Sequence, residues 1–276
     1  AKKLLSFLPQ NNTEDPPELE HDGNVDDNRF LDTVIPDDAR KPYEVRDVIA
    51  NVVDDGDFLE VHAGWALNAV VGFGRIVGRT VGVIANQPNQ MSGVLDIDAS
   101  DKIARFVRFC NAFNIPLLTF VDTPGFMPGV DQEYNGIIRH GAKLLFAYSA
   151  ATVPKVTVVL RKAFGGAYIA MCARALGADK VFAWPSAEIA VMGAEGAAGI
   201  VFRKEISDAE DSAAKRQELI DDYRDTFANP YVASEHGLVD DVIVPAETRR
   251  FVAQAFESLT TKRDVRPPKK HGLMPL

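Results

Sequence analysis

No catalytic constellation of side chains declares itself in this sequence. Its five histidines, His21, His62, His140, His236 and His271, are scattered, and none has a partner at metal-ligand spacing. The two cysteines, Cys110 and Cys172, fall inside helical patterns and read as small reduced core residues, not as a disulfide framework. There is no Gly-x-Ser-x-Gly elbow and no paired-cysteine motif. No apolar run approaches the roughly 20 residues that a membrane-spanning helix needs. Positive charge is also short: 30 Lys and Arg stand against 39 Asp and Glu, a net charge of −9, and no basic stripe interrupts it. That balance argues against a nucleic-acid surface. At the start, Ala1-Lys2-Lys3-Leu4-Leu5 is followed too soon by Pro9 and Asn11-Asn12 to be a signal peptide, so the expectation is a cytoplasmic protein.

What is there fits a globular chain. With 276 residues, 46% hydrophobic and 25% charged, it can bury a sizeable core as one large α/β domain or two small ones. Residues 1–41 hold Pro9, Pro16, Pro17, Pro36 and a dense acidic set from Glu14 to Asp38. They predict an extended lead-in or linker, and suggest that something precedes Ala1 in the complete polypeptide. A short helix follows Pro42, with Val45, Val48 and Ile49 on one face. Phe58 to Asn86 alternates as strands do. Gly72-Phe-Gly74-Arg-Ile-Val-Gly78 has some look of a dinucleotide fingerprint, but strand-like residues follow it where a helix is required, so its glycines read as hairpin turns and close crossings.

Ser100 is the expected N-cap of the next helix, on which Ile103, Phe106, Val107, Cys110 and Phe113 recur at helical spacing. Ile115 to Asp122 predicts a buried strand ending at Asp122-Thr-Pro-Gly-Phe126, with a helix near Tyr134 to Ala151 behind it. That strand end is similar to the magnesium and γ-phosphate switch segment of GTPases, but the phosphate-cradling Gly-x-x-x-x-Gly-Lys-Ser/Thr is missing. Asp122 therefore stays open between capping the turn and binding a ligand.

Val156 to Leu160 is a β-branched run that breaks at Gly165-Gly166 and enters an apolar helix through Ala167, Ile169, Ala170, Met171 and Ala173 to Leu176. Such a turn leaves unpaired N–H groups at the positive end of a helix, and without a Cβ a ligand oxygen can come close to them. This is the geometry of a backbone oxyanion hole, although strand–glycine–helix turns are also common simply because glycine suits a tight turn.

Val181 to Trp184 and Glu188 to Met192 predict further extended pieces, the second ending in the glycine-rich turn Gly193 to Gly199. Glu195 in that turn is a candidate acid or base, although such a residue more often complements a helix N-terminus. Tyr168 and Trp184 read as packing aromatics. Strand, glycine turn and helix thus occur three times, which implies parallel strands with ligands gathered at their carboxyl ends. Beyond Ile206, Ala213 to Phe227 is an acidic amphipathic helix with Leu219, Ile220, Tyr223 and Phe227 on one face, stopped by Asn229-Pro230. Val239 to Val244 predicts a last strand. Val252, Ala255, Phe256 and Leu259 mark a last helix, and Arg263 to Leu276 an extended tail.

Four segments in order, Asn86-Gln-Pro88, Val121-Asp-Thr-Pro-Gly-Phe126, Arg161-Lys-Ala-Phe-Gly-Gly-Ala-Tyr168 and Ala183-Trp-Pro-Ser-Ala-Glu-Ile-Ala-Val-Met-Gly-Ala-Glu-Gly-Ala197, carry a family resemblance. Together they resemble the carboxyl-terminal half of the carboxyltransferase (β) subunit of biotin-dependent acyl-CoA carboxylases, the propionyl-CoA carboxylase β type. The likeness runs to the tail Lys270-His-Gly-Leu-Met-Pro-Leu276. It implies an α/β crotonase-like (ClpP/crotonase) fold, a spiral of repeated strand–strand–helix units. It also implies a lead-in at 1–41, a carboxyl-terminal carboxyltransferase domain at 42–262 and a tail at 263–276.

By the same resemblance the chain belongs to a ligase complex that moves a carboxyl group from carboxybiotin to the α-carbon of a short-chain acyl-CoA. Biotin is then carried by a partner subunit, and a coenzyme A thioester is the substrate. The implied partners are the biotin carboxylase and biotin carrier subunits, in a homo-oligomer, a hexamer of β subunits. A transcarboxylase or decarboxylase subunit, or a non-catalytic assembly half, are the alternative readings. The family's amino-terminal domain, which carries most coenzyme A contacts, is not in the sequence. Its active site lies between that domain of one subunit and the carboxyl-terminal domain of another, so the chain alone is expected to be silent.

The family's chemistry asks the protein for positioning and two backbone oxyanion sites. The resemblance places one at Gly166 and Ala167. Gly165, Gly125, Phe126, Gly193 and Ala194 in the three glycine turns are the further candidates for the biotin and substrate pocket. Ile169, three residues past Gly166, should lean toward the same pocket; the alternative is that it is a plain core residue. Family members with a propionyl preference often carry an acidic residue there. An isoleucine makes mixed acetyl, propionyl and butyryl use the expectation.

Overall fold

The computed structural model describes residues 1–267 and 272–275. An eight-stranded mixed sheet runs through its centre. β1 (Leu59–Val61), β2 (Ala69–Ile76) and β3 (Arg79–Asn86) are antiparallel neighbours. From β3 onward the pairing is parallel, through β4 (Leu117–Thr123), β5 (Lys155–Phe164) and β6 (Lys180–Ala183) to β8 (Asp241–Val242). β7 (Glu188–Ala190) pairs with the end of β5, at Lys162 to Phe164. The run Val156 to Leu160 therefore extends to ten residues, and its last turn of ladder is shared with β7.

Helices cover both faces, as a parallel sheet requires. They are α1 (Lys2–Leu5), α2 (Val45–Val52), α3 (Ile97–Ala112), α4 (Val130–Tyr134), α5 (Ile137–Ala150), α6 (Gly165–Ala170), α7 (Ala194–Val201), α8 (Arg203–Asp208), α9 (Ser212–Thr226), α10 (Pro230–Glu235) and α11 (Thr248–Ser258). Alternation along the strands divides the core. Ile84, Leu117, Val121, Val159 and Ala163 face α3 and α5 in one cluster; Val83, Ala85, Leu118, Phe120, Val158 and Leu160 join α2 and α11 in the other. A third, small cluster of Ala194, Ala198 and Ile220 joins α7 to α9.

Several boundaries move for identifiable reasons. Asp96, not Ser100, caps α3: its carboxylate accepts from the Ala99 amide at 2.8 Å, and Ser100 lies one turn inside, donating to the Asp96 carbonyl. The helix expected near 134–151 is α5, which starts at Ile137 because Gly136 adopts a left-handed φ of 87° and separates it from the short α4 before it. α6 ends at Ala170 instead of running to Leu176, since Cys172 sits at φ 64° and only a 3-10 turn, Arg174–Leu176, follows. Thr157 donates to the Cys172 carbonyl at 2.8 Å and fixes that break from the sheet. Phe227, expected on the buried face of α9, is exposed, while Leu219 and Ile220 are buried. Asn229 ends α9 and caps α10 as well, accepting from the Tyr231 and Val232 amides at 3.1 and 3.0 Å.

The glycines of the β1–β3 meander act as expected. Gly78 forms the hairpin turn at φ 78°, and a Cβ at Gly74 or Gly82 would lie 2.7 Å from Val53 or 2.6 Å from Cys110. The lead-in is irregular over most of its length, yet it is anchored to the body: Phe7 and Leu31 are buried in the two main clusters. Two lysines are buried as well. Lys102 donates to the Trp65, Ala66 and Ala69 carbonyls at 2.7, 3.2 and 2.6 Å, and Lys155 to the carbonyls of Tyr148, in the last turn of α5, and of Ala151, just beyond it, at 3.0 and 3.1 Å. Of the tail, residues 263–267 and 272–275 carry no regular element. Pro268, Lys269, Lys270, His271 and Leu276 lie outside the described residues.

Candidate functional site

The parallel ladder puts the three glycine turns side by side. β4, β5 and β7 are neighbours in one direction, so their exits at Thr123, Phe164 and Ala190 open at one edge of the sheet. β5 passes into α6 through Gly165, whose φ of 56° suits glycine. Phe164 ahead of it offers no side-chain acceptor, so no side chain caps the first-turn amides.

Gly165 and Gly166 differ in what surrounds them. A Cβ at Gly165 would lie 3.0 Å from the Val191 carbonyl, whereas one at Gly166 would meet nothing closer than the Phe126 ring at 3.9 Å. Gly166 is exposed, Ala167 is buried, and Ile169 is 44% exposed, which removes it from the core. The ring of Phe126 also lies against Gly141 of α5, where a Cβ would come within 3.0 Å of it. The backbone around Gly125 and Phe126 is held by a bridge to the loop before α3: the Leu95 amide donates to Gly125 at 3.0 Å, and the Met127 amide to Leu95 at 2.8 Å. A Cβ at Gly193 would lie 3.1 Å from the Phe164 ring, and Ala194 opens α7. The Phe126 ring thus lies beside Gly166, and Gly193 lies beside Phe164, the residue that precedes Gly165.

Asp122 is a buried structural anchor. Its carboxylate accepts from Arg161 Nε and from the Lys162 amide, both at 3.0 Å, where the β4–β5 register shifts by two residues. Burial raises its carboxyl above the ordinary carboxylate range, and Arg161 and the Lys162 amide oppose that rise. Arg161 in turn donates to the Lys41 carbonyl at 3.0 Å and lies over the Tyr43 ring at 5.0 Å, tying the lead-in to the site edge. The motif quoted for the family begins at Arg161; an arginine inside an apolar strand signals a buried charge, though not which residue pairs with it.

Glu195 is exposed and held by Arg224 Nη2 at 2.5 Å, on the first turn of α7, where a carboxylate complements the helix end. Trp184 is buried with its indole N–H on Thr248 at 2.8 Å, and Tyr168 is buried in the core, its hydroxyl pushed up to about 12 by burial. Burial also lifts the Cys172 thiol to about 12 and raises Cys110, so neither supplies a thiolate at neutral pH. A cavity of about 550 Å³ opens at the other edge of the sheet, by Thr80, Pro116 and Pro154. At that edge the strands begin, so the backbone chemistry described here is not aimed into it. Among the described residues no group of three or more His, Cys, Asp and Glu is placed to hold a metal ion. No helix there is long and apolar enough to cross a membrane.

Comparison with known proteins accounts for the whole chain. Residues 1–274 match the model of the carboxyl transferase domain. The methylmalonyl-CoA carboxyltransferase 12S subunit of Propionibacterium freudenreichii subsp. shermanii is 63% identical over 275 residues, which cover 100% of this chain and 52% of that one. The methylmalonyl-CoA decarboxylase subunit alpha of Propionigenium modestum and the propionyl-CoA carboxylase beta chain of Saccharopolyspora erythraea are each 56% identical, covering 100% of this chain and 53% of theirs. Among solved structures, the transcarboxylase 12S hexamer with methylmalonyl-coenzyme A and methylmalonic acid bound superposes at a TM-score of 0.96 with 62% identity, over 100% of this chain and 53% of that one. The geranyl-CoA carboxylase β subunit of P. aeruginosa gives 0.76 and 28%, over 100% and 52%. The fold is crotonase-like, as these carboxyltransferases are. The chain spans about half the length of the relatives it matches, and it belongs to the carboxyl transferase domain family.

Proposed function

We propose that this chain is the carboxyl-terminal half of a biotin-dependent carboxyltransferase, moving a carboxyl group between biotin, carried on a partner subunit, and the α-carbon of a short-chain acyl-CoA. The observation that carries the reading is the first turn of α6. It is uncapped, it opens at the shared edge of three parallel strand ends, and it presents at Gly166 a backbone that no neighbour crowds. A donor set of neutral amides at a helix start suits an anionic oxygen and leaves nothing to protonate it.

Gly166 and Ala167 amides would hold the biotin ureido oxygen, with Phe126 beside them and Gly125, Gly165, Gly193 and Ala194 shaping the pocket. Bound biotin brings the transferable carboxyl group and, once that has left, a nitrogen base for the acyl α-proton. The chain's own part is to orient, to exclude water and to stabilise negative charge. One such donor is worth about 2.7–4 kcal/mol in a comparable enzyme, so backbone alone supplies a large share of the acceleration. The second oxyanion site, most coenzyme A contacts and the hexamer belong to the proposed whole subunit with its biotin carboxylase and carrier partners. Similarity to the 12S subunit favours a second reading, a transcarboxylase using the same amides.

The test supplies methylmalonyl-CoA and free biotin to the full-length protein. Carboxyl transfer to biotin is expected, and products formed with the natural biotin carrier then separate carboxylase from transcarboxylase. No transfer with the other half present would overturn the reading in favour of an assembly role.

A further inference from the structure

Outside the glycine turns, the α7–α9 helices carry a charge network that the reaction above leaves unused. Arg224 on α9 reaches Glu188, the first residue of β7, at 3.5 Å, and Glu195, on the first turn of α7, at 2.5 Å. The two carboxylates bracket one segment. Within it, β7 pairs with Lys162 to Phe164 of β5, the Val191 carbonyl stands 3.0 Å from where a Gly165 Cβ would be, and the Phe164 ring stands 3.1 Å from where a Gly193 Cβ would be. α9 rests on α7 and α8 through a small cluster, buried Ala194, Ala198 and Ile220 with half-buried Phe202, Ile206 and Tyr223 around them. Apolar packing this thin leaves the helix pair free to shift unless another contact fixes it. Glu188 is largely shielded, and burial raises its carboxyl while Arg224, with Lys162 and Arg161, opposes that rise and Glu195 adds to it.

We infer that Arg224 is a positioning residue for the proposed carboxyltransferase site: by bridging Glu188 and Glu195 it holds the β7–α7 segment against the Gly165 turn. This rests on the function proposed above. A planar guanidinium can serve two carboxylates at once, which a lysine ammonium on its flexible stem does poorly. Loosening the segment changes the backing of Gly165, and with it the aim of the next two amides.

The experiment compares Arg224→Ala, Arg224→Lys, Glu188→Gln and the Arg224→Ala/Glu188→Gln pair in the full-length assembled enzyme. Carboxyl transfer from methylmalonyl-CoA to biotin is measured per folded molecule, with circular dichroism reporting folding. Arg224→Ala should lower kcat by about 10- to 100-fold, the scale of a small misplacement, with the KM for the CoA ester unchanged. Arg224→Lys should restore part of the rate, and the double variant should lose no more than Arg224→Ala, because Arg224→Ala already removes the link that Glu188→Gln breaks. Wild-type kcat in Arg224→Ala, or additive losses in the double variant, would overturn the inference. If Arg224→Ala does not fold, the Glu188→Gln and Arg224→Lys variants decide it by the same kcat measure. Absence of transfer in the wild type would instead sink the function, not the network.

Discussion

Gly165 and Gly166 are neighbours that need glycine for different reasons. At Gly165 the chain is left-handed, and an added methyl would press on the Val191 carbonyl. Gly165→Ala should therefore cost about 1–2 kcal/mol of stability from the backbone alone, read as a lower melting temperature. Ile169 is exposed, so Ile169→Asp should change stability by no more than about 0.5 kcal/mol. Its effect belongs to substrate choice: the ratio of kcat/KM for butyryl-CoA over propionyl-CoA should shift by about 10- to 200-fold, the range for a changed apolar pocket contact. An unchanged ratio in the assembled enzyme would remove Ile169 from the pocket. Asp122 and Arg161 behave differently because both are buried. Removing one partner, as in Arg161→Ala, leaves an uncompensated charge and should cost about 3–5 kcal/mol in denaturant unfolding.

At the scale of elements, the β2–β3 hairpin is clamped from the side by Asp54. Its carboxylate accepts from the Val77 and Gly78 amides at 2.9 and 2.7 Å and from Arg249 of α11 at 2.7 Å. Burial would raise this carboxyl, but the Gly78 amide, Arg249 and the Val77 amide together hold it below its ordinary value. A lowered folded pKa means that the stabilisation is complete above the unfolded value of about 3.9 and is lost as pH falls through the folded one. Asp54→Asn should lower stability at neutral pH and flatten the acid limb below about pH 4, measured as unfolding midpoints between pH 3 and 7. An acid limb identical to wild type would exclude Asp54 as its source.

The same elements show what a sequence can and cannot carry. α2 and α11 are legible because Val45, Val48, Ile49, Val252, Ala255 and Phe256 repeat at the helical period and are buried. The three strand–glycine–helix turns are legible because glycine marks them locally. The end of α6 is not, since Ala173 to Leu176 are good helix formers and the break comes from Thr157, across the sheet. Nor are the Asp122–Arg161 and Arg224–Glu188 links, which join residues 39 and 36 apart; pairing over such distances exists only after folding.

For the whole molecule, the chain answers to about half of each relative. Its site edge carries exposed apolar side chains, among them Val130, Tyr134, Ile138, Val191 and Ile200. The proposed function makes this half insufficient, so the 276-residue chain by itself should give no carboxyl transfer to biotin, and the full-length protein should give it. Transfer by the isolated chain would refute the two-half site. The most direct measurement is made on Gly166→Ala in the full-length protein, by thermal melting and by carboxyl transfer from methylmalonyl-CoA to biotin on one sample. Because a Cβ there meets nothing within 3.9 Å, melting should be unchanged or raised, by about 0.5–1 kcal/mol from helix propensity. Transfer should fall by about 100-fold or more as the methyl keeps the oxygen from the amides. Full transfer in a stably folded Gly166→Ala would contradict the claim that these amides hold the charge.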